Sequence, residues 1–316
     1  MKKQLLAAAV AATMASVASA DVSITGQMKV NYKNTDNNGT SSNAISHEAN
    51  LYVKGSNGDT KFHLELDADS ADGAGGDLDV EDVWMSTKIG DVTVKSGTWN
   101  GGDTLISKDS DRATGKFEAS TSMAGLSIKA DGSAAGNKNF TIGGEFSGVN
   151  VSYKMDDGDD DEIKVSTTIQ GISLAYHGHD NNEANKDKSS IVVSGSMGGV
   201  DLTYASADAD SGATISGDSL FGDAAALNVE SDGSGMGAGD DISGFIVSTS
   251  MAGNKVKGVF AEVDNLTGDG DLDITKFVVT RPLASGATLE VTYTEQDSAT
   301  NANDEEQLDV ELMVKF

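Results

Sequence analysis

The chain contains no cysteine, a single proline (Pro282), four histidines and few aromatics. Without cysteine there is no disulfide framework, no thiolate metal site and no cysteine nucleophile. Beyond residue 20 no segment approaches the roughly 18 apolar residues of a membrane-spanning helix, and helix-period apolar stripes are missing as well. Basic residues are scarce: 22 Lys and Arg stand against 50 Asp and Glu, a net charge of −28. That balance excludes a nucleic-acid binder, which needs a basic footprint, and a protein that docks on anionic lipid through a polybasic patch. No hydrolase elbow is present; Ser231 to Gly235 does not follow the Gly-x-Ser-x-Gly pattern.

What is present begins with an export signal. Lys2 and Lys3 precede an apolar, Ala-rich stretch from Leu5 to Val17, and Ala18 to Ala20 form a small-residue cleavage site. Residues 1–20 are therefore expected to be removed, leaving 21–316 as one domain. A chain of this kind that enters a membrane must do so as a closed barrel, because strands with free edges cannot satisfy their backbone in lipid.

The other end is equally patterned. Leu308, Val310, Leu312, Val314 and Phe316 alternate with Gln307, Asp309, Glu311, Met313 and Lys315. Period two means a strand with one apolar and one polar face. The same alternation recurs at Val22 to Tyr32, Lys61 to Asp67, Val149 to Asp156 and Thr288 to Thr294. A soluble barrel turns its apolar face inward and a membrane barrel turns it outward, and alternation alone does not separate the two. The export signal and the terminal aromatic Phe316, expected as a membrane-insertion signal, favour the membrane form. The segment 255–263 is apolar at both parities, so its register is not legible.

The 37 glycines punctuate these strands. Eight tight turns are expected at 55–59, 89–91, 123–125, 147–148, 170–171, 197–199, 251–253 and 284–286, where Gly supplies positive φ. Between them lie longer polar connections near 34–43, 67–79, 98–112, 131–138, 156–162, 178–188, 205–241, 264–272 and 295–306. Short turns on one rim and long loops on the other describe an up-and-down barrel. With both termini on the short-turn rim the count is eighteen strands. Sixteen is the alternative, and loop 205–241 offers a further pair around Ala226 to Val229.

Acid is unevenly placed. Segments 67–82, 156–162, 205–241, 262–273 and 294–306 hold 31 of the 50 carboxylates and no Lys or Arg. The expectation is an acidic loop rim over a nearly neutral wall, drawing in counter-ions. Asp269, Asp271 and Asp273 offer oxygen ligands for Ca²⁺, and so do Asp156 to Glu162, without matching the twelve-residue calcium loop. Diffuse attraction of Ca²⁺ or Mg²⁺ is the expected form, and no cofactor is expected. His177 and His179 share one face of a strand, as a metal pair would, but no third ligand is suggested nearby and a loop edge is their expected place.

Asp21 to Gly26 directly after the signal, and the ending Leu308 to Phe316, resemble the general diffusion porins of Gram-negative bacteria. So does the position of the 15-residue stretch Thr98 to Arg112 after the fifth strand. The resemblance implies a trimeric, sixteen-stranded barrel in the outer membrane, in contact with the bilayer and lipopolysaccharide and passing ions and small hydrophilic solutes. It implies that 98–112 folds inward, with Asp103, Lys108, Asp109, Asp111 and Arg112, and Glu118 at the next strand, at the constriction. Opposite them it implies basic wall residues, for which Lys29, Lys61, Lys95, Lys116, Lys129, Lys154 and Lys164 are the candidates. The lining charges would set selectivity, with a weak preference for cations expected from the acidic rim. Two other readings stand beside it: a calcium-binding acidic surface protein, and a non-conducting outer-membrane barrel used in adhesion.

Overall fold

The computed structural model describes residues 21–37, 39–71, 77–100, 105, 115–134, 136, 138–157, 160–181, 186–210, 213, 241–264, 271–298 and 304–316. Residues 1–20, where an export signal is expected, and Ala226 to Val229 lie outside them. The described chain is all-β: β1 (Asp21–Asn37), β2 (Thr40–Asn57), β3 (Thr60–Ala71), β4 (Asp77–Ile89), β5 (Val92–Thr98), β6 (Lys116–Met123), β7 (Leu126–Gly132), β8 (Lys138–Phe146), β9 (Val149–Asp156), β10 (Asp161–Ile169), β11 (Ile172–Asp180), β12 (Lys188–Met197), β13 (Val200–Ala209), β14 (Asp241–Met251), β15 (Asn254–Asp264), β16 (Leu272–Pro282), β17 (Ala287–Ser298) and β18 (Glu305–Lys315). Each strand pairs antiparallel with its sequence neighbours, and β1 also pairs with β18, which closes an eighteen-stranded barrel. Eighteen is thus the strand number among the described residues, not sixteen. Closure removes the sheet edges that lipid would leave unsatisfied. No described helix is long and apolar enough to cross a membrane.

The eight expected tight turns all join the strands at the rim where β1 begins and β18 ends. Four of them are two-residue turns whose first residue is not glycine yet has positive φ: Ala124, Ser147, Gln170 and Ala252, each followed by a positive-φ Gly. This is the turn whose twist matches the strands it joins. Three threonines on following strands fasten such turns from outside: the hydroxyls of Thr121, Thr167 and Thr249 donate to the carbonyls of Asp91, Gly148 and Gly199 at 2.9 Å.

On the opposite rim one expectation changes. The stretch 34–43 is not a long loop; β1 and β2 run on to Asn37 and Thr40 and are joined by two residues. Backbone pairing and polar side chains carry the ladder where apolar residues stop. Tyr32 Oη and Asn34 Nδ2 both donate to Asn43 Oδ1 at 2.7 Å, and Asp36 accepts from Gly39 N–H at 2.9 Å and from Ser41 Oγ at 2.7 Å.

Register fixes the two faces. Val30 pairs with Leu312, Val310 with Val291, Val291 with Val279 and Leu51 with Leu66, so apolar side chains line up from strand to strand. This face is exposed on the outside of the barrel, including Ile24, Met28, Ile45, Phe117, Phe146, Phe245 and Phe277. Ring pairs Tyr204–Phe245 (5.1 Å) and Phe260–Phe277 (5.8 Å, edge to face) stand on it. The polar parity faces the lumen. An apolar outer belt over a polar interior is the inside-out arrangement that fits lipid. Val291→Arg is accordingly expected to destabilise the bilayer-inserted barrel by about 2–4 kcal/mol. Glu290→Arg, one residue away but in the lumen opposite Glu311, should cost far less. Denaturant titration in lipid vesicles checks the pair, and equal costs would mean the faces are assigned wrongly.

Candidate functional site

The lumen wall is built from one parity of eighteen strands, and register places all seven candidate lysines on it: Lys29 (β1), Lys61 (β3), Lys95 (β5), Lys116 (β6), Lys129 (β7), Lys154 (β9) and Lys164 (β10). They do not form an uncompensated basic wall. Lys29 Nζ donates to Glu48 Oε2 at 3.0 Å, and Glu48 also accepts from Asn50. Lys129 pairs with Asp131 at 3.1 Å and stands 3.8 Å from Glu118. Glu118 thus belongs to this wall pair on β6.

The tightest knot centres on Glu162 at the start of β10. Lys154 Nζ donates to its Oε1 at 2.6 Å, while His177 Nε2 and Lys164 Nζ stand 3.3 and 3.6 Å from Oε2. Antiparallel pairing makes this knot: Glu162 lies opposite Lys154 on one side and His179 on the other, with Lys164 opposite His177. His179, next to last in β11 and opposite the first residue of β12, does stand at the loop edge, whereas His177 lies deeper in the strand. Both sit inside the barrel on β11, and His177 is 1% exposed.

A second cluster is aromatic. Trp84, on β4 between β3 and β5, stacks on His63 with centroids 5.4 Å apart. Lys95 Nζ stands 4.5 Å from the Trp84 centroid and 4.0 Å from that of Trp99, and Lys116 Nζ 5.7 Å from the latter. Both tryptophans of the protein are thus held by lumen cations; ring faces attract such charges. Asn100 N–H donates to Asp82 at 3.3 Å, so the connection after β5 leaves the wall through fixed contacts. Farther along it, Leu105 borders a cavity of about 580 Å³ together with lumen-facing Ser152, Lys164, Ser166 and His177. Asp103, Lys108, Asp109, Asp111 and Arg112 lie outside the described residues.

The third region is one that the sequence pattern marks only faintly. Towards the loop rim, much of the lumen parity of β13 to β16 is apolar: Ala205, Ala207, Ala209, Ile242, Val259, Ala261, Val263 and Ile274 form a cluster with exposures from 0% to 6%, and Ala213 after β13 packs into it. This explains the mixed pattern of 255–263. Val256 and Phe260 face outward, Val259, Ala261 and Val263 inward, and the strand is apolar on both sides. The signal was there in the Ala205, Ala207, Ala209 alternation.

Acid placement also differs from expectation. Much of the carboxylate read as loop belongs to strand ends. Asp67, Asp69, Asp79 and Glu162 are in the lumen, so the wall is not a neutral surface beneath an acidic rim. Others form like-charged cross-strand neighbours on the outer face near the loop rim: Asp208, Asp241 and Asp264; Glu262, Asp273 and Asp297; Glu295, Glu306 and Asp36. Directly opposed like charges repel. Asp273 is therefore a member of the Glu262–Asp297 row on β16. Asp271 precedes that strand, and Asp269 lies outside the described residues.

No protein-family profile matches the chain, and no curated protein sequence does. Solved structures do match in fold. The outer membrane protein OpdK of Pseudomonas aeruginosa superposes with a TM-score of 0.70 at 11% identity over 94% of this chain and 98% of that one. OccK2 (OpdF) of the same organism, solved with glucuronate, gives the same values. OccD3 (OpdP), also from P. aeruginosa, gives 0.65 at 12% identity over 93% and 91%. At such identities the likeness establishes the barrel fold.

Proposed function

We propose that this chain is an outer-membrane porin, a water-filled channel for passive diffusion of ions and small hydrophilic solutes with a weak preference for cations. The observation that carries the reading is the closed eighteen-stranded barrel with its apolar parity outside and its charged parity inside. Such a wall keeps water in the lumen and needs lipid outside. The folds it superposes on include proteins whose names place them in an outer membrane. In this reading the chain is exported through residues 1–20, assembles as a homotrimer against lipid and lipopolysaccharide, and performs no catalysis.

The connection after β5 narrows the lumen, bringing Asp103, Asp109 and Asp111 towards the wall lysines. The support is Leu105, which borders the same lumen cavity as residues of β9, β10 and β11. One neighbour was solved with glucuronate and another with vanillate, both carboxylates. Here Lys29, Lys129 and Lys154 each meet a carboxylate of the chain itself, which leaves less positive field for an anion. The cross-strand carboxylate rows at the rim hold Ca²⁺ or Mg²⁺ loosely, as a counter-ion atmosphere.

Purified protein in a planar bilayer tests this. Stepwise conductance is expected, with a reversal potential in a KCl gradient of the sign for K⁺ preference and a preference that weakens from 0.1 M to 1 M salt as screening shortens. Absence of conductance would leave the adhesion barrel, and chloride preference at low salt would assign selectivity to the lysines. Changing Asp103, Asp109 and Asp111 together to Asn should shift the reversal potential more than changing Asp297, Asp304 and Glu306 to their amides. Equal shifts would place 98–112 outside the pore.

A further inference from the structure

We propose that the lumen carries a divalent transition-metal site, of the zinc type, made by His63, Glu65 and Asp82. The three side chains each present one ligand atom, and these atoms lie within 4.8 Å of one another. His63 Nε2 is 3.6 Å from Glu65 Oε2, longer than a hydrogen bond but close to the separation of two ligands on one metal. Zinc takes imidazole nitrogen and carboxylate oxygen at about 2.0–2.2 Å, so a tetrahedral ion holds its ligands about 3.3–3.6 Å apart. Small rotations of the two carboxylates reach that spacing.

Two independent observations mark the place as more than a meeting of charges. The first is the backbone. β3 and β4 lose register between Leu64 and Leu66: Leu64 pairs with Val83 but Leu66 with Val80, so β4 carries an extra residue opposite Glu65. A bulge re-aims side chains, and here it is what gathers Asp82 of β4 against His63 and Glu65 of β3. The second is His63 itself. Its residue is 8% exposed, and no described residue hydrogen-bonds its Nδ1, so that nitrogen can carry the ring proton and leave the Nε2 lone pair beside Glu65. A buried imidazole flat against Trp84 is a rigid ligand. With three protein ligands the fourth position faces lumen water, the arrangement of an open site. The pair His177 and His179, which the sequence offers as a metal pair, has beside it Glu162, whose carboxylate is already held by Lys154 and Lys164.

The test uses the folded barrel in detergent. Zn²⁺ titrated calorimetrically at pH 7.5 in excess Ca²⁺ should bind at one site per chain, because calcium fills diffuse carboxylate positions and competes poorly for imidazole. His63→Gln and Asp82→Asn should each weaken Zn²⁺ at least tenfold, with the gel shift of the unheated barrel kept. Asp297→Asn, on the outer face, should leave it unchanged. Paramagnetic Co²⁺ gives a readout in the unaltered protein: bound beside the His63–Trp84 stack it should quench tryptophan emission, and Zn²⁺ should restore it. Zinc binding that survives both His63→Gln and Asp82→Asn, or that calcium abolishes, overturns the site. So does Co²⁺ binding that leaves the tryptophans unquenched.

Discussion

Deleting Phe316 should lower the folded, membrane-inserted population sharply while leaving export intact. The barrel closes between β1 and β18, and the last residue extends that seam beyond the regular ladder. Gly26 N–H donates to the Phe316 carbonyl at 2.8 Å, and Phe316 N–H donates to the Gly26 carbonyl at 3.0 Å. The ring covers the outer face of Gly26, so that a Cβ there would lie 2.6 Å from ring Cζ and 2.8 Å from the carbonyl oxygen of Asn50. Glycine is needed at this position because β18's terminal ring and β2's backbone leave no room for a side chain. Two lost backbone bonds at about 1 kcal/mol each and a part of the roughly 1.5–3 kcal/mol that full burial of a Phe is worth, since Phe316 is 65% exposed on the barrel, put the cost at about 3 kcal/mol. Gly26→Val should cost a similar amount by prising the ring away. The double change Gly26→Val with Phe316→Ala should recover part of the loss, since the ring is gone while the clash with Asn50 remains. The unheated gel shift and the thermal midpoint in lipid read all three. If removing the ring makes Gly26→Val worse, the seam is held in some other way.

The parts of this molecule that were legible are those where period and turn chemistry act locally. Alternation at Val22 to Tyr32 and Leu308 to Phe316 gave strands β1 and β18 their faces, and Ala124-Gly125 or Gln170-Gly171 marked turns by the positive φ they require. Strand count followed from the turns. Partnership across strands was not legible, because register is a property of two segments. Glu162, Lys154 and His177 are scattered in sequence and meet only once β9, β10 and β11 are aligned. The same holds for His63 and Asp82, which need a bulge. Length of the polar connections was overread: Asn34 to Asn43 looks like loop by composition, yet in a ladder every backbone group finds a partner whatever the side chain is. The apolar lumen patch on β13 to β16 escaped because β15 is apolar on both faces and has no period-two signal, and on β13 only small alanines mark the lumen side.

Glu162→Gln should shift ion selectivity more than any other single neutralisation on the wall. The carboxylate faces Lys154, Lys164 and His177 at once, so its removal leaves two ammonium groups uncompensated in the lumen. A unit charge about 7 Å from a passing ion in water is worth about 0.6 kcal/mol. That is about one RT, halved by the Debye length of about 10 Å at 0.1 M salt, and since K⁺ and Cl⁻ respond in opposite senses it is enough for roughly a threefold change in their local ratio, and less at 1 M, where the Debye length is about 3 Å. Stability should move little, since Lys154 and Lys164 keep much of their water and pairs of that kind contribute about 0.2–1 kcal/mol. Glu306→Gln removes the same charge from the outer face and should leave the permeability ratio where it was. Lys154→Gln combined with Glu162→Gln restores the local balance and should return the ratio most of the way to wild type, which a loss of wall structure would not do. A reversal potential that does not move in Glu162→Gln would mean that ions pass elsewhere in the lumen, along the acidic side formed by Glu48, Asp67 and Asp79.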